Sequence, residues 1–191
     1  MLDDGVLIGR IRTGDLQAFG ELYHKYRRSV FHTALAITRD RIAAEELLQD
    51  CFVRAHAHLD QVDASVSLAA WLHRIAVNLS YNWVARRRPW LVSLEEALDH
   101  LVAAPRVSPE RLAEWGEVRR AVQEAIDGLS FNHRVVVILY FLQGFSLAEI
   151  AYILDCPEGT VKSRLHYACK TLRARLSRDY RLAPNVGLEF S

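Results

Sequence analysis

Almost every periodic stretch of this chain repeats its apolar residues every three or four positions, the continuous apolar run Val135 to Leu142 aside, and no stretch alternates apolar and polar residues for the length of a strand. A segment with that period buries one face of a helix and needs other helices to bury it against, so the chain is expected to be all-α. Half of its residues are apolar (51%) and a quarter are charged (25%), enough for real cores. With no apolar run of about 18 residues, no membrane insertion is expected. The start, Met1-Leu2-Asp3-Asp4, lacks the basic and apolar regions of a secretory signal. Three scattered cysteines (Cys51, Cys156, Cys169) form no disulfide framework, and a reducing cytoplasm is the expected compartment.

The chain divides on this pattern. After Gly14-Asp15, a helix carries Phe19, Leu22, Tyr23, Tyr26, Val30, Ala34 and Ile37 on its inner side. Thr38-Arg39-Asp40 reads as a turn whose aspartate caps the next helix, with Ala44, Leu48, Cys51, Ala55 and Leu59 inward. Residues 61–67 have no stripe and read as a loop, from which Ser67 opens a helix burying Leu68, Leu72, Ile75 and Leu79. The pattern weakens between Pro89 and Pro109. Two small helical domains joined by a flexible linker are therefore expected, over 10–90 and 114–180 with the linker at 91–113.

The second domain carries the sharpest local signals. Ser146-Leu147-Ala148-Glu149 has the spacing of a capping box, and Leu147, Ile150, Ala151 and Leu154 follow as a stripe. Asp155-Cys156-Pro157 stops that helix, because proline cannot sit in a helix interior. A second helix opens at Gly159-Thr160 and turns Val161, Leu165, Ala168, Leu172 and Leu176 inward. Two short helices across a tight turn make a helix-turn-helix, whose second helix is shaped to enter a major groove. A plain helical hairpin explains the period equally well, but not the outward Lys162, Ser163 and His166.

A net charge of +1 argues against nucleic acid only until it is resolved along the chain. Between Asp40 and Asp63 six acids face two arginines, whereas between Gly159 and Arg181 seven bases face one acid. Arg86-Arg87-Arg88 adds a second basic cluster. Solvated helix faces would account for charge alone.

Several blocks resemble a known family. Leu129-Ser130, Arg134, the run Gly144 to Ala151, and Gly159-Thr160-Val161-Lys162-Ser163-Arg164-Leu165 resemble the fourth region of bacterial sigma-70 factors, in particular the extracytoplasmic-function (ECF) group. Independently, Ala18-Phe19, Leu22-Tyr23, Tyr26, Ala44 to Phe52 and Trp71 to Asn78 resemble the second region. The resemblance implies a transcription initiation factor, not an enzyme, that binds core RNA polymerase and directs it to promoter DNA. It further implies contacts with the polymerase beta-prime coiled coil and beta flap. Restraint by an anti-sigma factor, membrane-anchored in many such systems, until a stress or metal signal releases it, is also implied.

The same resemblance distributes roles among residues. Glu45, Glu46, Leu47, Gln49, Asp50 and Phe52 would bind core polymerase; Glu46, Gln49 and Asp50 share one helix face. Arg74, Asn78, Asn82, Arg86, Arg87 and Arg88, with the 61–67 loop, would melt and read the minus-10 element, which needs cations for phosphates and amides for base edges. Many family members have Asp where Asn82 stands. Glu158, Thr160, Lys162, Ser163, Arg164 and His166 would face the minus-35 element. Tyr167 replaces a basic residue common there, and Arg173 and Arg175 read as general DNA contacts or as solubilising charge.

No cofactor or metal is expected. The chain has no P-loop, nucleophile elbow or dinucleotide fingerprint, and His56 and His58 point to different sides of a helix. Two other readings stay open on the residues: a helix-turn-helix regulator that binds duplex DNA alone as a dimer, and a helical adaptor without DNA contact. The first has no need of the Glu45–Phe52 and Trp71–Asn78 segments, the second none of a basic recognition helix.

Overall fold

The computed structural model describes residues 3–59, 62, 66–86 and 109–179, with the backbone alone at 109–115. All regular structure among the described residues is helical. A short helix precedes the first one expected: α1 (Asp4–Arg12) buries Leu7 and lies along α2. Asp4 anchors it, accepting bonds from Lys25 Nζ and the Tyr26 hydroxyl, each at 2.6 Å. Its single large buried side chain explains why no stripe announced it.

Caps set the boundaries of the next three helices. Asp15 Oδ1 accepts from the Ala18 amide (3.1 Å) to start α2 (Leu16–Thr38). Asp40 does the same for Ala43 (3.0 Å) at α3 (Arg41–His58), and Ser67 for Ala70 (3.0 Å) at α4 (Leu68–Arg86). Between α2 and α3 the chain reverses through Arg39, held left-handed at φ 58°. The three helices pack on one another, and Cys51, fully buried, donates its thiol to the Leu72 carbonyl at 3.5 Å. Burial pushes that thiol up to about 12, so it is an inert core group.

The second half holds α5 (Pro109–Asp127), α6 (Phe131–Val137), α7 (Leu147–Leu154) and α8 (Glu158–Leu176), the first three all packed on α8. α5 starts inside the stretch read as linker: Pro109 begins the helix instead of bracketing a loop, since proline's missing N–H costs nothing at a first helical position. The rest of that stretch, 91–108, lies outside the described residues. α6 continues as a π-helical turn, Ile138–Leu142, closed where the Gln143 amide donates to the Ile138 carbonyl (3.1 Å). Gly144 follows at φ 73°, a conformation that glycine adopts without steric cost.

The halves do not stand apart. α4 packs against α7, and one continuous set of buried side chains runs from Leu22, Leu35 and Leu72 into Val136, Leu139 and Ile150. The two helical domains expected are both present, and their buried surfaces meet.

Candidate nucleic-acid and polymerase interfaces

α3 touches both α2 and α4, so its buried arc is broad. Ala43, Ala44, Leu47, Cys51, Phe52 and Ala55 all face inward. This corrects two expectations. Leu47 (6% exposed) and Phe52 (4%) are core residues, with the Phe52 ring set edge-on against Tyr23 (4.8 Å) and Phe19 (6.4 Å). The apolar part of the outer face is instead Ile42 (72%) and Val53 (69%), which the inner stripe gave no reason to single out. Glu45, Glu46, Gln49 and Asp50 are exposed between them, and Arg41 pairs with Glu45 at 3.2 Å. The result is an acidic strip with an apolar residue near each end.

On α4, Asn78, Asn82 and Arg86 are exposed at four-residue intervals, so they share a face. Trp71 is half-buried against the core. Arg87, Arg88 and residues 60, 61 and 63–65 of the adjoining loop lie outside the described residues. Arg74, on the edge of the same face, is engaged elsewhere. Its Nη1 donates to the Tyr152 carbonyl (2.9 Å), Nη2 lies 3.2 Å from Asp155 Oδ1, and the guanidinium stands 4.9 Å from the Tyr152 ring centre.

Beside it His73 is 1% exposed. Its Nδ1 donates to the Ala69 carbonyl (2.8 Å), Nε2 faces the Ser29 hydroxyl (3.4 Å), and the ring meets Phe145 edge-on at 4.8 Å. Burial holds the imidazole below its usual range, although Ala69, Ser29 and Gln143 favour the proton.

The helix-turn-helix forms as its spacing predicts. The Glu149 amide donates to Ser146 Oγ (3.3 Å), while Glu149 Oε2 accepts from the Ser146 amide (2.9 Å) and hydroxyl (2.8 Å). Burial works against ionisation of Glu149, but the bonds from Ser146 and from the Ser67 side chain outweigh it and lower its pKa. α7 ends at left-handed Asp155 (φ 50°), and Pro157 leads directly into α8. Val161 and Ala168 are fully buried, which turns Glu158, Lys162, Ser163 and His166 to the surface. Glu158 pairs with Lys162 at 2.8 Å, and Ser163 Oγ donates to the Thr160 carbonyl at 3.0 Å. Thr160 and Arg164 are half-buried, and Arg164 folds back to within 3.9 Å of Cys156 Sγ.

Arg175 is also redirected. It donates to the carbonyls of Gly128 (2.8 Å) and Ala125 (3.3 Å), capping the end of α5. The π-turn, in addition, displays Tyr140 (39% exposed) and Phe141 (46%), a surface pair that an apolar run does not distinguish from core.

Residues 22–89 match the family described as Sigma-70 region 2, and residues 119–172 that described as Sigma-70, region 4. A two-part helical factor of the sigma-70 class is thereby defined. The ECF RNA polymerase sigma-E factor of Escherichia coli (strain K12) is 33% identical over 97% of each chain. The ECF RNA polymerase sigma factor SigW of Bacillus subtilis (strain 168) is 29% identical over 88% of this chain and 94% of its own. The chain belongs to the ECF group of the sigma-70 family. Its fold resembles that of CnrH in a complex with the cytosolic domain of CnrY, with a TM-score of 0.69 and 26% identity. That likeness covers 92% of this chain and 98% of CnrH. RpoE from Bartonella quintana, solved with the anti-sigma factor NepR, shares the fold at a TM-score of 0.65 and 24% identity, over 84% of this chain and 98% of RpoE.

Proposed function

We propose that this chain recruits core RNA polymerase to promoters and divides the task among three surfaces. The α3 strip of Ile42, Glu45, Glu46, Gln49, Asp50 and Val53 docks on the beta-prime coiled coil: its carboxylates steer the encounter and its two apolar side chains bury area. Arg74, Asn78, Asn82 and Arg86 on α4, continued by Arg87 and Arg88, take the separated minus-10 strand. Glu158, Thr160, Lys162, Ser163, Arg164 and His166 set α8 in the major groove of the minus-35 element, where lysine can bond a guanine edge and the helix start favours a phosphate. Tyr140 and Phe141 suit the beta flap. RNA synthesis itself stays with the polymerase.

The observation that carries this reading is the exposed α3 strip, which neither a self-sufficient duplex binder nor a DNA-free adaptor requires. Control by an anti-sigma partner, membrane-anchored or not, fits the apolar surface at Ile42, Val53, Tyr140 and Phe141 that such a partner would cover. No helix among the described residues is long and apolar enough to cross a membrane. The site of action we infer is the cytoplasm, where polymerase and DNA are found. Run-off transcription with core polymerase and a matched promoter tests the proposal. Absence of a core-dependent transcript overturns it, and tight duplex binding without core favours a self-sufficient regulator.

A further inference from the structure

α1 forms part of none of the surfaces assigned above, yet it is tied into the first half at both ends. At its start Asp4 accepts from Lys25 and Tyr26 of α2, and near its end Arg10 pairs with Asp15 (2.8 Å) and Glu21 (3.1 Å). Beyond that clamp stands Arg12, the last residue of α1, whose Nη2 donates to the Val62 carbonyl at 3.1 Å, 50 residues further along the chain. Resting on the reading of the 61–67 loop as part of the minus-10 reader, we propose that Arg12 is a positioning residue for that loop: α1 is a brace, and its last side chain aims the chain as it leaves Val62.

The surroundings of Val62 give the bond its leverage. Val62 is 6% exposed, with its side chain in the core, and its amide donates to the Leu59 carbonyl at 3.3 Å. Burial fixes where the residue sits. The bond from Arg12 fixes how its carbonyl is turned, and a planar peptide carries that orientation on to residue 63. At the other end of the loop Ser67 caps α4 through the Ala70 amide, and its carbonyl accepts from the Trp71 amide at 3.0 Å. Both described ends are therefore held, one by the loop's own cap and the other from α1.

Packing between α1 and the loop is incomplete, which is why a directional bond matters there. Gly5, Ile8 and Gly9 of α1 line, with Val62, Val66 and Leu68, a cavity of about 290 Å³. Outside its own helix, nothing stands within 4 Å of the place a Cβ at Gly9 would take. Space of this size leaves the loop room to shift, and a hydrogen bond of fixed geometry removes that freedom where apolar contact cannot. The long, planar guanidinium suits the task, since it spans the gap and presents donors in a rigid fork. An exposed cation beside a DNA-reading loop has one other evident use, a phosphate contact. The bond Arg12 already makes to a backbone carbonyl favours positioning.

The test uses the full chain with core polymerase and a promoter library randomised at the minus-10 element, comparing wild type with Arg12→Ala, Arg12→Lys and Asp4→Ala. Arg12→Ala should reduce the preference for the best base over the next about fivefold at one or more positions, the weight of one hydrogen bond. Core affinity and minus-35 preference should stay as in the wild type. Arg12→Lys still has a donor that reaches the carbonyl and should restore most of the preference. Asp4→Ala frees the other end of α1 and should weaken preference at the same positions. A uniform loss across all sequences, with a salt dependence shallower by about one counterion, makes Arg12 a phosphate contact and overturns the proposal. Unchanged base preference in Arg12→Ala, or a loss that Arg12→Lys does not restore, also overturns it. Wild-type run-off transcription keeps the two readings apart. A core-dependent transcript alongside any of those results leaves the sigma-factor reading standing and removes the brace, whereas no transcript removes both.

Discussion

Arg39 and Asp127, 88 residues apart in sequence, are joined at 2.8 Å where the end of α2 meets the end of α5. Burial lowers the pKa of the guanidinium and raises that of the carboxyl, against the attraction between them. The pair therefore contributes little net stability while making each partner expensive to lose. Asp127→Asn leaves Arg39 and Arg134 facing each other without a counter-charge and should cost about 2 kcal/mol. Arg39→Met combined with Asp127→Asn should cost less than the sum of the single changes. A double-mutant cycle by urea unfolding measures both.

His73 makes the junction sensitive to acid. Its pKa is depressed in the folded protein, chiefly by burial, so folding favours the neutral ring. The unfolded chain then binds more protons as pH falls. Stability is complete above about 6.5 and is lost progressively as pH drops from there toward the folded-state value. Unfolding followed between pH 7.5 and 5.5 should show this slope in the wild type and a shallower one in His73→Gln.

On α3 the outer and inner apolar residues should separate cleanly. Ile42→Asp and Val53→Asp should weaken core polymerase binding about tenfold or more, with unfolding midpoints unchanged. Leu47→Ala and Phe52→Ala should instead lower stability by about 2–5 kcal/mol. Gel-filtration co-elution with core, alongside thermal melts, distinguishes the two groups.

Lys162→Ala should alter preference at the upstream element, by about 1–3 kcal/mol at the base it reads, and leave core affinity intact. Transcription from a promoter library with that element randomised measures the change. A uniform loss across all sequences would reassign Lys162 to a phosphate.

Gly128 leaves the space that the Arg175 guanidinium fills, so a side chain there collides with it. Gly128→Ala should displace the exposed Arg175 guanidinium from the α5 carbonyls and, because the end of that flexible side chain can move aside, cost less than about 1 kcal/mol. Arg175→Ala should cost a similar amount, and the two changes together little more than one, as read by thermal unfolding.

The sequence by itself determined what neighbouring residues decide. Asp15, Asp40 and Ser67 cap the helices they were read to cap, Ser146 and Glu149 close the box, and Pro157 ends one helix and opens the next. Each of these depends on groups within about one helical turn, so spacing alone discloses them. The outward position of Lys162, Ser163 and His166 follows from the period in the same way.

Tertiary structure decided which apolar residues are core, because the width of a buried arc depends on how many neighbours a helix has. α3 touches two helices, so Leu47 and Phe52 went inside and Ile42 and Val53 were left at the surface. It also decided the fate of the arginines. Arg74, Arg39 and Arg175 find their acceptors 78, 88 and 47 residues away, in carbonyls at helix ends. A backbone carbonyl carries no residue identity and a long side chain has a wide reach. No sequence period records such a pairing: those of Arg74 and Arg39 exist only once the two halves have met, and that of Arg175 only once α5 has packed on α8.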